Sequence, residues 1–243
     1  MKTPFILRRA FQAMIPAVLL LASCGKDDDP ATTPAPDQAR VRFVHDIVSA
    51  STVPVKALVG TQEVATLNYG QNSAYTAVPV GAQDIKINAS QTGTALAQVN
   101  RTLAKDVNYS VFAYRSGTST APVAPLVTED NLTAPSSGKA KIRLVNLGIG
   151  TAATGLGLSR VQGTGFASIT TADVLYGAAS SFTETDAGPV AIFLTNGGAP
   201  TTPLITPNPK TLTAGKIYTV VVRGTDTPLT SDQSLTVDFI ENN

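Results

Sequence analysis

Histidine is the side chain most often recruited as a general base or metal ligand near neutral pH, and this chain has one, His45. Asp46 follows it directly, but successive side chains on a strand point to opposite faces, so the two are not preset as a dyad. A His-dependent triad or a zinc centre would have to be assembled around His45 alone. The alternative is a hydrogen-bonded residue at a strand end. The glutamates Glu63, Glu129, Glu184 and Glu241 are scattered, whereas sugar hydrolysis needs two acids flanking one cleft. Asp226 and Asp232 could hold a cation weakly from a loop, while Asp27, Asp28 and Asp29 adjoin prolines and lack the glycine-spaced pattern of a calcium loop. The glycines at 148, 150, 155, 157, 163 and 165 precede neither a helix nor a Lys-Ser/Thr pair, so they read as strand-connecting loops and not as phosphate cradles. No catalytic residue, no cofactor site and no metal site is assigned.

One thiol has a defined chemistry. Lys2, Arg8 and Arg9 precede an apolar stretch from Ala10 to Ala22 that is short for a membrane span, which is signal-peptide anatomy. The stretch ends in Leu21-Ala22-Ser23-Cys24, which resembles the lipobox of bacterial lipoproteins. Cleavage before Cys24 and acylation of its sulfur would remove the liability of a lone thiol in an exported protein. An ordinary secretory signal whose cleavage site happens to precede a cysteine is the alternative. Cys24 is the only cysteine, so no internal disulfide is available and the core must carry stability alone.

Loss of residues 1–23 lowers the basic count from 18 to 15 against 17 acids, a mature charge of about −2. No basic face for nucleic acid is present in either half. Residues 24–38 form a polar, proline-rich tether. Within it, Lys26, Asp27, Asp28 and Asp29 resemble the acidic export signal that sends Bacteroidetes-type lipoproteins to the outer face of the outer membrane. Read as a plain solubilising run, they would leave the protein facing the periplasm.

The elements that would position any site come in two copies with a period of about 105 residues. Arg40-Val41-Arg42-Phe43-Val44-His45 aligns with Lys141-Ile142-Arg143-Leu144-Val145-Asn146, Tyr69-Gly70 with Tyr176-Gly177, Tyr75 with Phe182, Gly81 with Gly188, and Ile85 with Ile192. Apolar residues alternate with Arg or Lys in the opening segments, the period of a strand with one wet face. Turn formers punctuate such runs, and seven or eight short strands per copy suit a sandwich. Leu103 with Tyr109 and Leu212 with Tyr218 share a six-residue spacing that resembles the tyrosine corner of immunoglobulin-like sandwiches. Tyr69, Tyr75, Tyr109, Tyr176 and Tyr218 read as core or corner positions. Tyr114 reads as a surface contact or as packing on the neighbouring module. The expected architecture is all-β: two tandem immunoglobulin-like (Greek-key) β-sandwich domains, 39–131 and 138–243, joined by the short segment 132–138.

The Ala39–His45 opening, Tyr69-Gly70, Tyr75, Val80-Gly81, the Leu103–Tyr109 segment, and the stretch from Thr128 to Arg143 together resemble the DUF4397 family. That resemblance implies an extracytoplasmic β-sandwich of undetermined function. The second copy fits more loosely, with Asn146 where His45 stands.

The expected function is therefore a membrane-anchored, non-catalytic adhesion, scaffold or binding module at the cell surface. Its partners would be the membrane, through the lipid, and a surface protein or glycan. One alternative is a fimbrial or envelope-assembly subunit that polymerises by strand addition after cleavage at Arg40 or Arg42. Another is an accessory piece of a nutrient-uptake or hydrolase system.

Overall fold

A computed structural model of the chain describes residues 36–49, 53–151, 155–162, 164–190, 192–196, 203–205 and 210–243. Cys24, Lys26, Asp27, Asp28 and Asp29 lie outside the described residues. Residues 36–243 form one compact unit.

Strands β1 (Gln38–His45), β2 (Val55–Val59), β3 (Gln62–Leu67), β4 (Thr76–Pro79), β5 (Gly81–Ala89), β6 (Ala95–Leu103), β7 (Asn108–Arg115) and β8 (Val123–Glu129) make the first sandwich. One of its sheets runs β4-β1-β7-β8 and the other β3-β2-β5-β6. β1 pairs parallel to β7, with Val41 opposite Tyr109, and antiparallel to β4. Val55, Ala57 and Val59 of β2 and Ile85 and Ile87 of β5 are buried at alternate positions. This is the alternation a sheet with one core face requires. These residues pack against Val41, Phe43, Tyr109 and Val111 of the facing sheet in one core cluster.

The second half repeats the plan. β9 (Lys139–Asn146), β18 (Ile217–Arg223) and β19 (Thr236–Glu241) form one sheet with the short β12 (Ala178–Ala179) and β13 (Thr183–Asp186). β10 (Leu156–Gln162), β11 (Gly165–Ser168), β15 (Ile192–Asn196) and β16 (Pro203–Ile205) form the facing sheet. β14 (Gly188–Val190) pairs with β17 (Lys210–Leu212) alongside. Ile142 lies opposite Tyr218 as Val41 lies opposite Tyr109, and Gly188 opposite Leu212 as Gly81 lies opposite Leu103. Ile142, Leu144, Leu158, Leu194, Tyr218 and Val220 fill the second core. Gly157 and Gly165 belong to strands β10 and β11 and not to connecting loops, a departure from the sequence expectation.

Both tyrosine corners are present. The Tyr109 hydroxyl accepts the Ala104 N–H at 3.0 Å and the Tyr218 hydroxyl accepts the Thr213 N–H at 3.1 Å. Each corner needs a left-handed residue to turn the chain, and Gly215 (φ 83°) supplies it in the second copy at the place where Asp106 (φ 60°) stands in the first. Asp is among the few non-glycine residues that tolerate this region.

Candidate functional site: the junction and its cavity

The polar face of the opening strands is wet only at its start, where Arg40 is exposed and Lys141 half-buried. Arg42 and Arg143 are each 1% exposed, because the outer face of the β4-β1-β7-β8 sheet is covered by the corresponding sheet of the second sandwich. The alternation was correctly periodic, but the polar face is a buried junction, satisfied by charge pairing instead of water.

The contacts there are reciprocal, the pattern of a two-fold interface. Within its own sandwich, Arg42 Nε donates to Ser110 Oγ at 2.7 Å, and Arg143 Nε donates to Thr219 Oγ1 at 3.0 Å. Across the junction, Arg42 Nη2 donates to Asn242 Oδ1 at 3.0 Å, while Arg143 Nη2 forms an ion pair with Asp130 at 2.7 Å. Ser110 and Thr219 are equivalent positions on β7 and β18, and Asp130 and Asn242 both follow the last strand of their copy. Arg42 lies over the Tyr75 ring at 5.0 Å and Arg143 over the Phe182 ring at 4.5 Å. Asp130 also accepts hydrogen bonds from Tyr75, Ser110 and Thr128. One buried carboxylate thus serves two buried guanidinium groups. Burial pulls both arginines below their ordinary range, and Asp130 opposes that shift.

Apolar contacts continue the pattern. Val44, Phe112, Val145, Leu147, Val221 and Ile240 form a third buried cluster, drawn from both halves. Tyr114 packs edge-on to Tyr176 at 5.8 Å and against Gly177, and the Tyr176 hydroxyl donates to the Arg115 carbonyl. At the equivalent place in the other half, Arg223 sits over Tyr69 at 4.9 Å and against Gly70. Tyr114 is therefore a contact on the neighbouring module. Tyr69, Tyr75 and Tyr176 face the junction, whereas Tyr109 and Tyr218 are the core-and-corner pair.

At one end the repeat breaks. Leu147 is part of the apolar cluster, but its counterpart Asp46 is buried with neither carboxylate oxygen hydrogen-bonded. Arg223 Nε lies 3.9 Å from Asp46, and Arg223 also pairs with Asp238. The equivalents of Arg223 and Asp238 are Tyr114 and Leu126, so a charged trio at one end mirrors an apolar trio at the other. Burial pushes the Asp46 carboxyl up to about 7, against the pull of Arg223. Asp46 and Asp238 line a hollow of about 240 Å³ with Asn72 and Gly70.

His45 points the other way, as the strand period requires. Its Nδ1 accepts the Ile47 N–H at 3.2 Å, and Nε2 reaches the Val53 carbonyl at 3.5 Å. Asn146 does the same job in the second copy, its Oδ1 accepting the Gly148 N–H at 3.4 Å. This shared bond marks a strand-end turn and leaves no basic nitrogen free for proton abstraction. Burial lowers the imidazole to about 4, so it is neutral at physiological pH. Asp226 accepts from the Thr225 and Thr227 hydroxyls, and at Asp232 it is the backbone carbonyl that accepts from Arg223. Among the described residues, no three His, Cys, Asp or Glu side chains converge as a metal site.

His45 also lines a cavity of about 180 Å³, with Ile47, Val53, Val55, Leu96 and Val123 as apolar walls and Tyr69, Arg115 and Gln233 as polar ones. Gln233 belongs to the 3-10 turn Ser231–Gln233 of the second half and reaches back to donate to the Ser49 carbonyl at 2.7 Å. Neither the clamp nor the cavity could be named from composition. The signal for the clamp was present: Arg42 and Arg143 recur at one repeat position, as do the rings of Tyr75 and Phe182 beneath them.

Residues 47–153 match the family model described as "Domain of unknown function (DUF4397)". The match runs from just after β1 through β9 into the second half. No curated protein matches the chain. Among solved structures, the family-CBM26 carbohydrate-binding module CBMbc from Eubacterium rectale, in complex with maltoheptaose, is 10% identical over 84% of this chain and 95% of that chain, with a TM-score of 0.25. A candidate cell adhesion protein from Bacteroides fragilis is 12% identical over 85% and 98%, with a TM-score of 0.24. Another from Bacteroides eggerthii is 12% identical over 86% and 96%, with a TM-score of 0.20. Overlaps this shallow carry no ligand or partner across to this chain.

Proposed function

From a chain whose residues 47–153 match DUF4397, we propose a non-catalytic binding and scaffold module, held outside the cytoplasm by lipid on Cys24 and presented at the cell surface to a protein or glycan partner. Its two folding modules are 39–131 and 138–243. The observation that carries the reading is the junction: two sandwiches locked face to face by Arg42, Asp130 and Arg143 make one stiff body. Stiffness in a module at the end of a proline-rich tether suits presentation at a distance from the membrane. His45, the side chain best suited to acid–base work, is neutral and tied to backbone. The strand-addition alternative meets an obstacle at Arg42, since a protease cannot reach a residue sealed in the junction, although Arg40 is exposed.

Protease treatment of intact cells tests the placement. Digestion of the folded part before the outer membrane is broken is the expected result, with release to the soluble fraction in Cys24→Ser. Protection until the membrane is broken would overturn the surface reading, and retention of Cys24→Ser in the membrane would overturn the anchor.

A further inference from the structure

The cavity beside His45 is furnished beyond what folding requires. The Gln233 side chain is wholly buried, yet its Oε1 has no hydrogen-bond donor, although its Nε2 is bound to the Ser49 carbonyl. The Tyr69 hydroxyl, on another wall, is buried as well and has Arg223 as its hydrogen-bonding neighbour. Buried polar atoms left unmatched are costly and uncommon, and they concentrate where a ligand supplies the missing partner. The other polar groups are committed. Arg115 donates to the Val48 carbonyl at 2.9 Å and the Ala121 carbonyl at 2.8 Å, which pins the rim. With Nδ1 accepting from Ile47, His45 carries its proton on Nε2, turned toward Val53 at a long 3.5 Å. Among the described residues no carboxylate lines the space; Ser49 joins the lining, and the remaining walls, Ile47, Val53, Val55, Ala89, Leu96 and Val123, are apolar.

We propose that this cavity is a binding site for a neutral, ring-sized molecule with an apolar body and an amide or hydroxyl group, whose N–H or O–H donates to Gln233 Oε1. Size agrees: about 180 Å³ exceeds the roughly 150 Å³ of an apolar cavity that accommodates benzene. Charge agrees as well, since the described lining residues hold neither a bare carboxylate nor an uncommitted cation to neutralise an ionic ligand. The site goes beyond the scaffold reading and does not depend on where the chain is anchored.

Ligand-observed NMR on the mature chain tests it, with benzamide and phenol as neutral probes, benzoate and benzylamine as charged ones, and toluene as the purely apolar one. Saturable binding of benzamide is expected, at least about tenfold tighter than benzoate or benzylamine. Leu96 is 37% exposed at the rim, so Leu96→Trp should fill the opening, keep the fold and weaken benzamide at least about tenfold. Val123→Phe fills the same space from β8 and serves if the first variant fails to fold. Gln233→Met should abolish the preference for benzamide over toluene. The proposal is overturned if no neutral probe saturates, if charged probes bind as well as benzamide, or if binding survives unchanged in a folded filled variant.

Discussion

Asp46 and His45 are adjacent, buried, and shifted in opposite senses. The folded chain holds the Asp46 proton more tightly than the unfolded chain, because burial lifts its carboxyl to about 7. Stability from this group is therefore complete below about pH 4 and is lost as pH rises through about 7. His45 is lowered to about 4, so its contribution is present above about pH 6.5 and is lost as pH falls toward 4. The groups facing Asp46 are Arg223 and Asp238, with Tyr69 and Asp232 acting on the same cluster. Asp46→Asn should raise stability at pH 8 by roughly 1–3 kcal/mol and leave a profile that rises between pH 4 and 6.5. Urea denaturation at pH 5 and pH 8 reads this directly. An unchanged difference between the two pH values would remove the buried carboxylate from the account. Adjacency and the strand period already separated the faces of the two residues. The burial of Asp46 depended on the covering sheet, which no local pattern encodes.

Among the elements, β1 and β9 show what a sequence conceals. The alternation of Val41 and Phe43 with Arg40 and Arg42 specifies a strand, yet it cannot distinguish water from a second protein surface on the polar side. The partner acid Asp130 lies at the end of β8, distant in sequence, so only the tertiary structure joins them. The corners were legible for the opposite reason: Leu103 to Tyr109 and Leu212 to Tyr218 are local spacings, complete within one turn. Tyr109→Phe and Tyr218→Phe should each cost about 1 kcal/mol, the value of one buried hydrogen bond. Because the corners lie in separate cores, the double variant should show additive loss by chemical denaturation. A clear excess over additivity would indicate that the corners are coupled through the junction. Gly215→Val should cost more than either, about 2 kcal/mol, because a β-branched side chain is strained at φ 83°. Gly215→Asp should cost less than Gly215→Val, as Asp106 already occupies the equivalent turn.

At the scale of the molecule, the architecture is a repeated sandwich whose copies have ceased to be equivalent. Arg42, Arg143, Ser110, Thr219, Tyr75 and Phe182 preserve the two-fold pattern, while Asp130 against Asn242 and Asp46 against Leu147 break it. A pairing of two second halves would bury two guanidinium groups with no acid; a pairing of two first halves would bury two Asp46 carboxylates away from Arg223. The sequence differences thus favour association of unlike halves. Repeat period and alternation made the sandwiches legible in advance, although the second copy is divided into more and shorter strands than the seven or eight expected. Their face-to-face packing was not, because the Leu132–Gly138 segment limits separation without selecting a face.

The junction also fixes how the chain should unfold. Asp130→Asn removes the carboxylate paired with both Arg42 and Arg143 and should cost about 3–5 kcal/mol, as expected when a buried ion pair loses one partner. The most direct test of a single locked body is differential scanning calorimetry of the mature chain together with Asp130→Asn. One transition is predicted, with calorimetric and van't Hoff enthalpies in agreement, and Asp130→Asn should move the whole of it to lower temperature or split it in two. Two resolved transitions in the unaltered chain, or an Asp130→Asn variant that melts like it, would contradict the account.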